Sequence, residues 1–553
     1  MANENLLFIF VTALAVSMLL IPLLTRWAER LRIVDEPGDR KVHAAPVPRI
    51  GGIAFAVGVW VTLLLWAEKS ETVLAYLAAS GIILAFGMWD DRFGLSYRAK
   101  FLGQLLAAVV AVGYGGVTLH LLPFTEQVEL SPWLATPLTV LILVGITNAI
   151  NLSDGLDGLA GGLCLLTFGG MAYLSYLSGD QTILILMIAM LGGLLGFLRF
   201  NTYPATIFMG DAGSQFLGFT AGFSALLLTK SSEGSYTAVL ALLMIGLPLL
   251  DTLGVIIQRV LKGRSPFLPD RNHIHHKLLT AGFFHHEAVL IIYTLQAVMV
   301  GLAYLLQWQS DLIVLAVYGF IALPVLSLFW WAGRVRWRRP DRDQSLSVAT
   351  MHRVIGLKNR WAAEIPIQLL GAGVFLFLAL GVFVPRRIPA DFGVMAIGLF
   401  GLLLLGALLF RQATPWLIRL GLYIGGAFMV YLGDQTSVAA GAPGGADLPV
   451  HEILDFYFGL MAVLVVVSIR FNRTRPFQIT PLDYLTVLLV VTVPNLPEFQ
   501  VGDLHLGGLA AKIVVLFFAY ELILSRLSER ATQYGLVSLW VFLALGVRAW
   551  VNV

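Results

Sequence analysis

Long apolar runs recur along the whole chain, and they constrain its fold more than any other feature of the sequence. A helix needs about 20 apolar residues to cross the hydrocarbon core of a bilayer. Inside that core, backbone polar groups must pair within their own segment, so runs of this length favour helices. Only 12% of the residues are charged, against about 25% in an average soluble domain. We therefore predict an all-α, polytopic membrane protein.

The apolar runs divide the chain into a larger and a smaller membrane part. Eleven predicted spans cover residues 6–24, 50–67, 72–88, 101–120, 133–150, 158–178, 181–199, 206–229, 236–258, 288–306 and 311–331. About seven more cover residues 365–384, 391–410, 414–432, 453–469, 481–494, 508–526 and 534–551. The predicted domains are thus a first membrane domain, 1–333, a basic cytoplasmic linker, 334–364, and a C-terminal membrane module of unknown role, 365–553.

Lysine and arginine are concentrated in the loops that follow odd-numbered spans. In the first part of the chain, the loops after even-numbered spans hold Lys69 and Lys230 and almost no other basic residue. The positive-inside rule therefore predicts that the odd-numbered loops face the cytoplasm and that the N-terminus lies outside.

The most polar boundary in the chain is the stretch from Asn148 to Gly162, which lies where the fifth span ends. Its amides and carboxylates, including Asn151, Asp154 and Asp157, have no obvious packing use. Ionisable groups at a membrane boundary usually face a polar cavity or a partner. Asp154 and Asp157 are three residues apart, which predicts that both carboxylates lie on one side of a helical turn. We interpret the stretch as one wall of an active site.

Four further polar clusters also follow odd-numbered spans. They contain Lys41 and His43 after the first span, Asp90, Asp91 and Lys100 after the third, Asn201, Phe208 and Asp211 after the seventh, and Arg271, His273, His275 and His276 after the ninth. Unrelated solvated loops would scatter over both membrane faces. Five clusters on one face therefore predict a single site.

The carboxylates of this site allow two interpretations. The adjacent Asp90 and Asp91 suit Mg²⁺, which prefers oxygen ligands and is often held by one or two carboxylates with substrate phosphates. They could equally form a solvated turn that caps the next helix. Asp211 lies between glycines where an apolar helix begins, which fits either an N-cap or a helix N-terminus that favours phosphate.

The histidines and the aromatic residue are also ambiguous. His273, His275 and His276 could bind zinc, which would require a fourth ligand. Beside Arg271 they fit better as hydrogen-bond donors to a phosphate. Phe208 is either plain core or a ring face for a planar base.

Together these groups predict a phosphorylated, metal-bound substrate at a membrane surface. Transfer of a phosphoryl or sugar-phosphate group onto a lipid phosphate is the simplest chemistry that uses all of them. A transporter or flippase for a lipid-linked sugar is the alternative. It would place ionisable groups near the bilayer midplane, whereas these clusters lie at one membrane face.

The motifs resemble those of the polyprenyl-phosphate N-acetylhexosamine-1-phosphate transferases. The match consists of Asp90-Asp91, the stretch from Asn148 to Gly158, Phe208-Met-Gly-Asp211-Ala-Gly-Ser and His273-Ile-His275-His276, in that order. It covers about residues 1 to 330. The spaced His-x-His-His is more similar to the branch that transfers GlcNAc-1-phosphate than to the lipid I synthase.

The resemblance implies a reaction between a UDP-N-acetylhexosamine, most simply UDP-GlcNAc, and undecaprenyl phosphate that releases UMP and requires Mg²⁺ or Mn²⁺. It implies that Asp211 and Asn151 bind the metal with Asp91, and that Asp90 acts on the lipid phosphate. Lys100 and the histidines would hold the diphosphate, and Lys41 with His43 would face the lipid phosphate. Asp157 and Phe208 would bind the uracil. Asp154 is expected to be catalytic, and Asn148, Asn201 and Arg271 are expected to bind substrate.

The same resemblance implies a bacterial inner-membrane enzyme with its site on the cytoplasmic face. The expected partners are the two substrates and the lipid bilayer, with no nucleic acid. A homodimer and another UDP-N-acetylhexosamine donor stay open as alternatives.

Overall fold

The structure is a computed structural model of the chain. It describes residues 5–31, 33–36, 46–120, 124, 128–230, 236–265, 272–335, 360–385, 387–409, 414–439, 450–470, 500–501 and 504–551. The chain separates into two compact units, and the division falls between Asp341 and Arg342.

The first unit is a bundle of helices with one two-stranded sheet. Its helices are α1 (Leu6–Leu31), α2 (Gly51–Trp66), α3 (Glu71–Phe93), α4 (Tyr97–Gly113), α5 (Pro132–Ser153), α6 (Leu159–Leu177), α7 (Gln181–Asn201), α8 (Gly210–Leu228), α9 (Leu240–Met244), α10 (Gly246–Leu261), α11 (Ile274–Thr280), α12 (His285–Leu305) and α13 (Asp311–Val335). Strands β1 (Val34–Asp35) and β2 (Val47–Pro48) pair antiparallel, with Val34 opposite Pro48.

Helix α8 forms the centre of this unit. Every residue from Ala212 to Leu228 is buried, and α2, α3, α5, α6 and α7 all pack against it. Small residues let the backbones approach closely: a Cβ at Gly52 would overlap the backbone of Gly213, and one at Gly87 would overlap Ala212. Glycine and alanine at helix contacts are typical of membrane bundles, where packing must hold the helices together without a hydrophobic driving force.

The ninth predicted span is not one helix. It forms the short α9 and the longer α10, which meet at Ile245. Pro248 lies in the first turn of α10, where its missing N–H breaks no helical hydrogen bond. This break separates the two helices and allows α10 to pack against α5, which carries the most polar boundary.

The second unit is also helical. It contains α14 (Arg360–Leu380), α15 (Ala390–Leu409), α16 (Thr414–Ala439), α17 (Val450–Arg470), α18 (Leu506–Arg526) and α19 (Ala531–Val551), with two 3₁₀ turns and a strand pair, β3 (Gln500–Val501) and β4 (Leu504–His505). Charged side chains pair inside the unit: Lys512 contacts Asp434 at 2.9 Å and Asp455 at 2.8 Å. The predicted span 481–494 lies outside the described residues.

Within the described part of the chain, eleven helices are long and apolar enough to cross a membrane. Seven belong to the first unit and four to the second. Other predicted spans are helical as well; α2, for example, has 16 residues and is shorter than a full crossing. The predicted fold class is confirmed: the chain is an all-α, multi-pass membrane protein with additional C-terminal helices.

Candidate active site

Asp90 and Asp91 lie in the last turn of α3, where both residues are buried. The Asp90 carboxylate accepts the backbone N–H of Leu95 at 2.5 Å and forms an ion pair with Lys100. Lys100 lies in the first turn of α4, which Ser96 caps through its hydroxyl. The turn between α3 and α4 therefore holds a carboxylate and an ammonium in direct contact.

Asp91 has a different role from its neighbour. Its two carboxylate oxygens accept the backbone N–H groups of Asp211 at 2.8 Å and Ala212 at 3.0 Å, so it caps the N-terminus of α8. Gly210 has a φ of +71°, and a Cβ there would overlap the Asp91 carboxylate. The sequence left an N-cap role open for Asp211, but Asp211 lies inside the first turn and the capping carboxylate comes from α3.

Asp211 joins α8 to the Asp90 pair and to α5. Its carboxylate contacts the carboxyl group of Asp90 and the side-chain amide of Asn151, and it lies 3.5 Å from Nζ of Lys100. The Ser214 hydroxyl donates to Oδ1 of Asn151 at 2.8 Å. Four helix ends, those of α3, α4, α5 and α8, thus bring two carboxylates, an amide and an ammonium to one place.

This donor set fits a Mg²⁺ ion. Two carboxylates in contact repel each other unless a proton or a cation lies between them, and hard divalent cations take carboxylate and amide oxygens. The carboxylate and amide oxygens that could bind the ion belong to Asp90, Asp211 and Asn151. Both oxygens of Asp91 accept N–H groups, so its predicted role as a metal ligand stays a prediction. Among the described residues, no three His, Cys, Asp or Glu side chains form a metal-binding group.

The residues from Asp154 to Gly158 form a loop, because α5 ends at Ser153 and α6 begins at Leu159. The expectation that Asp154 and Asp157 share a helical turn is therefore wrong. The helix stops because Asp154 leaves the helical conformation, with φ −80° and ψ 64°, and the left-handed Gly158 then precedes the first residue of α6. Burial, together with the neighbouring carboxylates of Asp211, Asp91 and Asp157, raises the pKa of Asp154 to about 7. Near neutral pH this side chain can hold or release a proton.

Two residues that were predicted to bind substrate make contacts within the protein. The Asn148 side chain donates to Oε1 of Gln104 at 2.6 Å, and Gln104 donates in turn to Gln215 at 3.0 Å. The Asn201 amide accepts the N–H of Gly158 at 3.0 Å and donates to the carbonyl of Ile207 at 2.9 Å. Both amides therefore support the walls of the site.

Of the two predicted uracil-binding residues, Phe208 lies in the segment between α7 and α8, and Asp157 contacts that segment. Asp157 accepts the N–H of Ala205 at 3.0 Å through Oδ2. The backbone of Phe208 donates to the carbonyl of Pro48 at 2.8 Å and accepts the N–H of Gly51 at 2.9 Å, and its side chain is half-buried. The start of α2 thus fixes the backbone position of Phe208.

Arg49 extends the first polar cluster toward the site. It forms an ion pair with Asp35 across the β1–β2 hairpin, and its charge acts on Asp91 and Asp154. Lys41 and His43, from the same predicted cluster, lie outside the described residues.

The histidine motif is fixed by a residue that the sequence analysis did not single out. Asp251 of α10 accepts the N–H of Ile274 at 2.9 Å, and its other oxygen lies 3.0 Å from Nδ1 of His273. The signal was present: Asp251 is an isolated acid within an apolar run, and such residues usually face a partner. Arg271 lies outside the described residues.

His275 links this motif to the loop after α5. The side chain is buried, and a Cβ at Gly155 would overlap its imidazole ring. Burial and the neighbouring His276 lower the pKa of His275 to about 3, so the ring is neutral at neutral pH. The ring centroids of His275 and His276 are 4.2 Å apart.

The described members of the five polar clusters therefore come together in one region. Carboxylates, an ammonium, imidazoles and a helix N-terminus surround it. Such a set can bind a divalent cation together with a phosphorylated ligand, because it supplies oxygen ligands for the one and N–H donors for the other.

Comparison with known proteins agrees with this chemistry. The family profile described as Glycosyl transferase family 4 matches residues 73–229. The chain is 40% identical over 287 residues to the "Probable undecaprenyl-phosphate N-acetylglucosaminyl 1-phosphate transferase" of Bacillus subtilis, which covers 51% of this chain and 80% of the relative. It is 31% identical over 289 residues to the undecaprenyl-phosphate alpha-N-acetylglucosaminyl 1-phosphate transferase of Escherichia coli K12, covering 51% and 78%.

A mycobacterial relative also carries the name of a transferase of this kind. The decaprenyl-phosphate N-acetylglucosaminephosphotransferase of Mycolicibacterium smegmatis is 36% identical over 304 residues, covering 49% of this chain and 75% of the relative. These matches bear out the resemblance that the motifs carry. The chain belongs to the polyprenyl-phosphate N-acetylglucosaminyl-1-phosphate transferase family.

Proposed function

We propose that this enzyme transfers GlcNAc-1-phosphate from UDP-GlcNAc to undecaprenyl phosphate and releases UMP, in the inner membrane of a bacterium. The names of the relatives support the acceptor and the sugar, since each is named as a transferase of N-acetylglucosamine 1-phosphate that uses undecaprenyl or decaprenyl phosphate. The nucleotide donor is inferred from the family resemblance of the motifs.

The observation that carries the proposal is the contact among Asp90, Asp211, Asn151 and Lys100 at the ends of four helices. A transporter would need its ionisable groups near the bilayer midplane. Here Asp90 lies in the last turn of α3 and Asp211 in the first turn of α8. Groups at helix ends suit a reaction between a lipid head group and a water-soluble nucleotide.

In the proposed reaction, an oxygen of the lipid phosphate attacks the β-phosphorus of UDP-GlcNAc. The bond between that phosphorus and the bridging oxygen breaks, and UMP leaves with the bridging oxygen. The second pKa of a phosphate monoester is about 6, so the lipid phosphate is already mostly dianionic near neutral pH. It requires little help from a general base, and we favour direct attack over a covalent aspartyl-phosphate intermediate.

The main obstacle is the repulsion between two anions. The Lys100 ammonium offsets that repulsion beside Asp90, and the histidine motif can donate N–H groups to phosphate oxygens. A Mg²⁺ ion, or Mn²⁺ in its place, held by Asp211, Asp90 and Asn151 would supply further positive charge to the diphosphate. The protein contributes position: α3, α4, α5 and α8 hold these groups together before substrate arrives.

The nucleotide would lie against the loop that follows α5. One oxygen of Asp157 accepts a backbone N–H, and the other makes no hydrogen bond within the described chain, so it can accept from a uracil N–H. Phe208 can stack on the ring. The distribution of basic loops supports a cytoplasmic location for this site, which is the side where nucleotide sugars are available.

Purified protein in detergent should convert UDP-GlcNAc and undecaprenyl phosphate into a lipid-linked sugar and UMP in the presence of Mg²⁺. Chelation by EDTA should abolish UMP release, and added Mg²⁺ or Mn²⁺ should restore it. UDP-GalNAc, tested as a competing donor, identifies the sugar. Movement of a lipid-linked sugar across vesicles without UMP release would refute the transferase and favour a flippase.

A further inference from the structure

One carboxylate holds the start of the histidine motif. Asp251 is buried in α10, and its two oxygens have separate partners: the Ile274 backbone N–H at 2.9 Å and Nδ1 of His273 at 3.0 Å. His273 is itself buried. The first residue of α11 and the ring that precedes it are therefore fixed to α10 by the same side chain.

The pairing determines which nitrogen of His273 carries a proton. An ionised carboxylate only accepts hydrogen bonds, so Nδ1 must be the protonated nitrogen that donates to Asp251. Nε2 is then the ring nitrogen that can meet a substrate. At metal sites, a carboxylate commonly accepts the N–H of the histidine nitrogen that points away from the metal, and it fixes the ring in this manner.

The pair is physically connected to the transferase site. Helix α10 packs against α5, which ends next to Asn151. The rings of His273 and His275 are stacked, with centroids 5.8 Å apart and planes 8° from parallel. His275 in turn lies against Gly155 in the loop after α5. A change in the orientation of His273 would therefore disturb the packing of His275 against the loop that carries Asp154 and Asp157.

Packing alone gives no reason for an acid at this position. Asp251 follows Leu247-Pro-Leu-Leu250 and precedes Thr-Leu-Gly-Val, a run in which a leucine would pack without a charge to satisfy. Burying a carboxylate is unfavourable unless donors compensate it. Both compensating donors belong to the beginning of the histidine motif.

We propose that Asp251 is a positioning residue of the transferase. It fixes the tautomer and the orientation of His273 through the Nδ1–H contact, so that Nε2 faces the sugar donor. This role rests on the proposed function. Asp251 itself contacts no substrate and acts through His273.

The tautomer can be tested without any enzymatic activity. Full-length protein labelled with ring-¹⁵N histidine gives Nδ1 and Nε2 signals, and those of His273 are identified by their loss in His273→Gln. We expect Nδ1 of His273 to carry a proton in the wild-type protein and to lose it in Asp251→Asn, whose amide would donate to the ring. An unprotonated Nδ1 in the wild-type protein would overturn the proposal.

Kinetics then test whether the pair acts on the reaction. Asp251→Asn should lower kcat/KM by roughly 10- to 100-fold, the usual effect of removing the residue that orients a histidine in a site, and His273→Gln should lower it at least as much. The double variant should be no worse than His273→Gln, because Asp251 acts through that ring. If the losses in kcat/KM of the two single variants multiply in the double variant, Asp251 acts independently of His273. That result would overturn the positioning role.

A matched control is available in the same chain. Asp180 accepts the N–H of Ile183 at 3.0 Å and caps α7, away from the described site residues. Asp180→Asn should keep wild-type kcat/KM. If the wild-type protein shows no transferase activity, the proposed function fails, while the histidine spectra still confirm or overturn the Asp251–His273 assignment.

Discussion

Asp91 accepts a hydrogen bond from the backbone N–H of Asp211 at 2.8 Å, although 120 positions separate the two residues in the sequence. This bond joins the end of α3 to the start of α8. It brings the neighbouring Asp90 into contact with the Asp211 carboxylate. The two adjacent aspartates thus make different contacts: Asp91 caps α8, and Asp90 contacts Lys100 and Asp211.

Mutations should separate the effect of Asp91 on stability from the effect of Asp211 on activity. Asp91→Ala should lower stability by about 0.5–2 kcal/mol, the usual effect of removing an N-cap, and activity should fall with it. Asp211→Asn should keep the thermal midpoint and lose roughly 1000-fold in turnover, since several kcal/mol of charge stabilisation depend on that group. Thermal unfolding in detergent and UMP release measure the two effects. Wild-type turnover in Asp211→Asn would remove this residue from the site.

Gly155→Ala should damage the site through packing. The added methyl group would overlap the His275 ring, which is buried and cannot move freely. We expect a lower thermal midpoint and reduced activity. Gly145→Ala is the matched control in α5, because a Cβ there meets no atom within 4 Å. Alanine is favoured over glycine in a helix by up to about 1 kcal/mol, so the control should be neutral or stabilising.

The low pKa of His275 predicts that the folded protein loses stability in acid. Its pKa is about 3 in the folded protein, below the value of about 6.5 expected for an unfolded chain. Its contribution is therefore fully present above pH 6.5 and declines by about 1.4 kcal/mol per pH unit as the pH falls toward 3. Thermal midpoints measured from pH 7.5 to 5 should fall less in His275→Gln than in wild type. Equal declines would contradict the assignment.

Membrane sidedness can be tested with single cysteines. The chain's one native cysteine, Cys164, is buried and offers little background. Cysteines at the exposed positions Arg92 and Lys262 should react with an impermeant thiol reagent only after cells are permeabilised. A cysteine at the exposed Lys69 should react in intact cells. The reverse pattern would place the site on the outer face.

The division into two compact units leads to a prediction about truncation. The site residues named here all lie within the first unit. A chain that ends at Asp341 should therefore insert and retain transferase activity. Detergent-solubilised yield, thermal midpoint and UMP release should be compared with the full-length protein. A truncated chain that is folded but inactive would show that the second unit completes the site.

The fold class and the convergence of the motifs could be predicted because they follow from local sequence. Apolar length identifies membrane helices whatever their partners are, and basic loops indicate which helix ends share a face. The clusters that contain Asp90, Asn151, Asp211 and His275 meet as expected. The sequence could not show which polar groups at the helix ends contact one another, since those contacts depend on distances between segments far apart in the chain.

The contacts that the sequence did not indicate have the same origin. Asp91 caps a helix by accepting the N–H of a residue 120 positions later, and no local pattern identifies such a cap. Asn148 and Asn201 look like ligand-binding amides in the sequence, yet the structure pairs them with Gln104 and with the backbone around Gly158. The spacing of Asp154 and Asp157 predicted a shared helical turn, but α5 ends at Ser153 and both residues lie in the loop before α6.

The capping of α8 by Asp91 also has a consequence for synthesis in the cell. Ribosomes add about 5–20 residues per second, so the 120 positions between the two partners correspond to roughly 6–24 s. During that time the end of α3 has entered the membrane while the N–H groups it will cap have not been made. We expect the nascent Asp90-Asp91 pair to stay hydrated at the membrane surface until α8 arrives, so the contact between Asp90 and Asp211 can form only after α8 has been made.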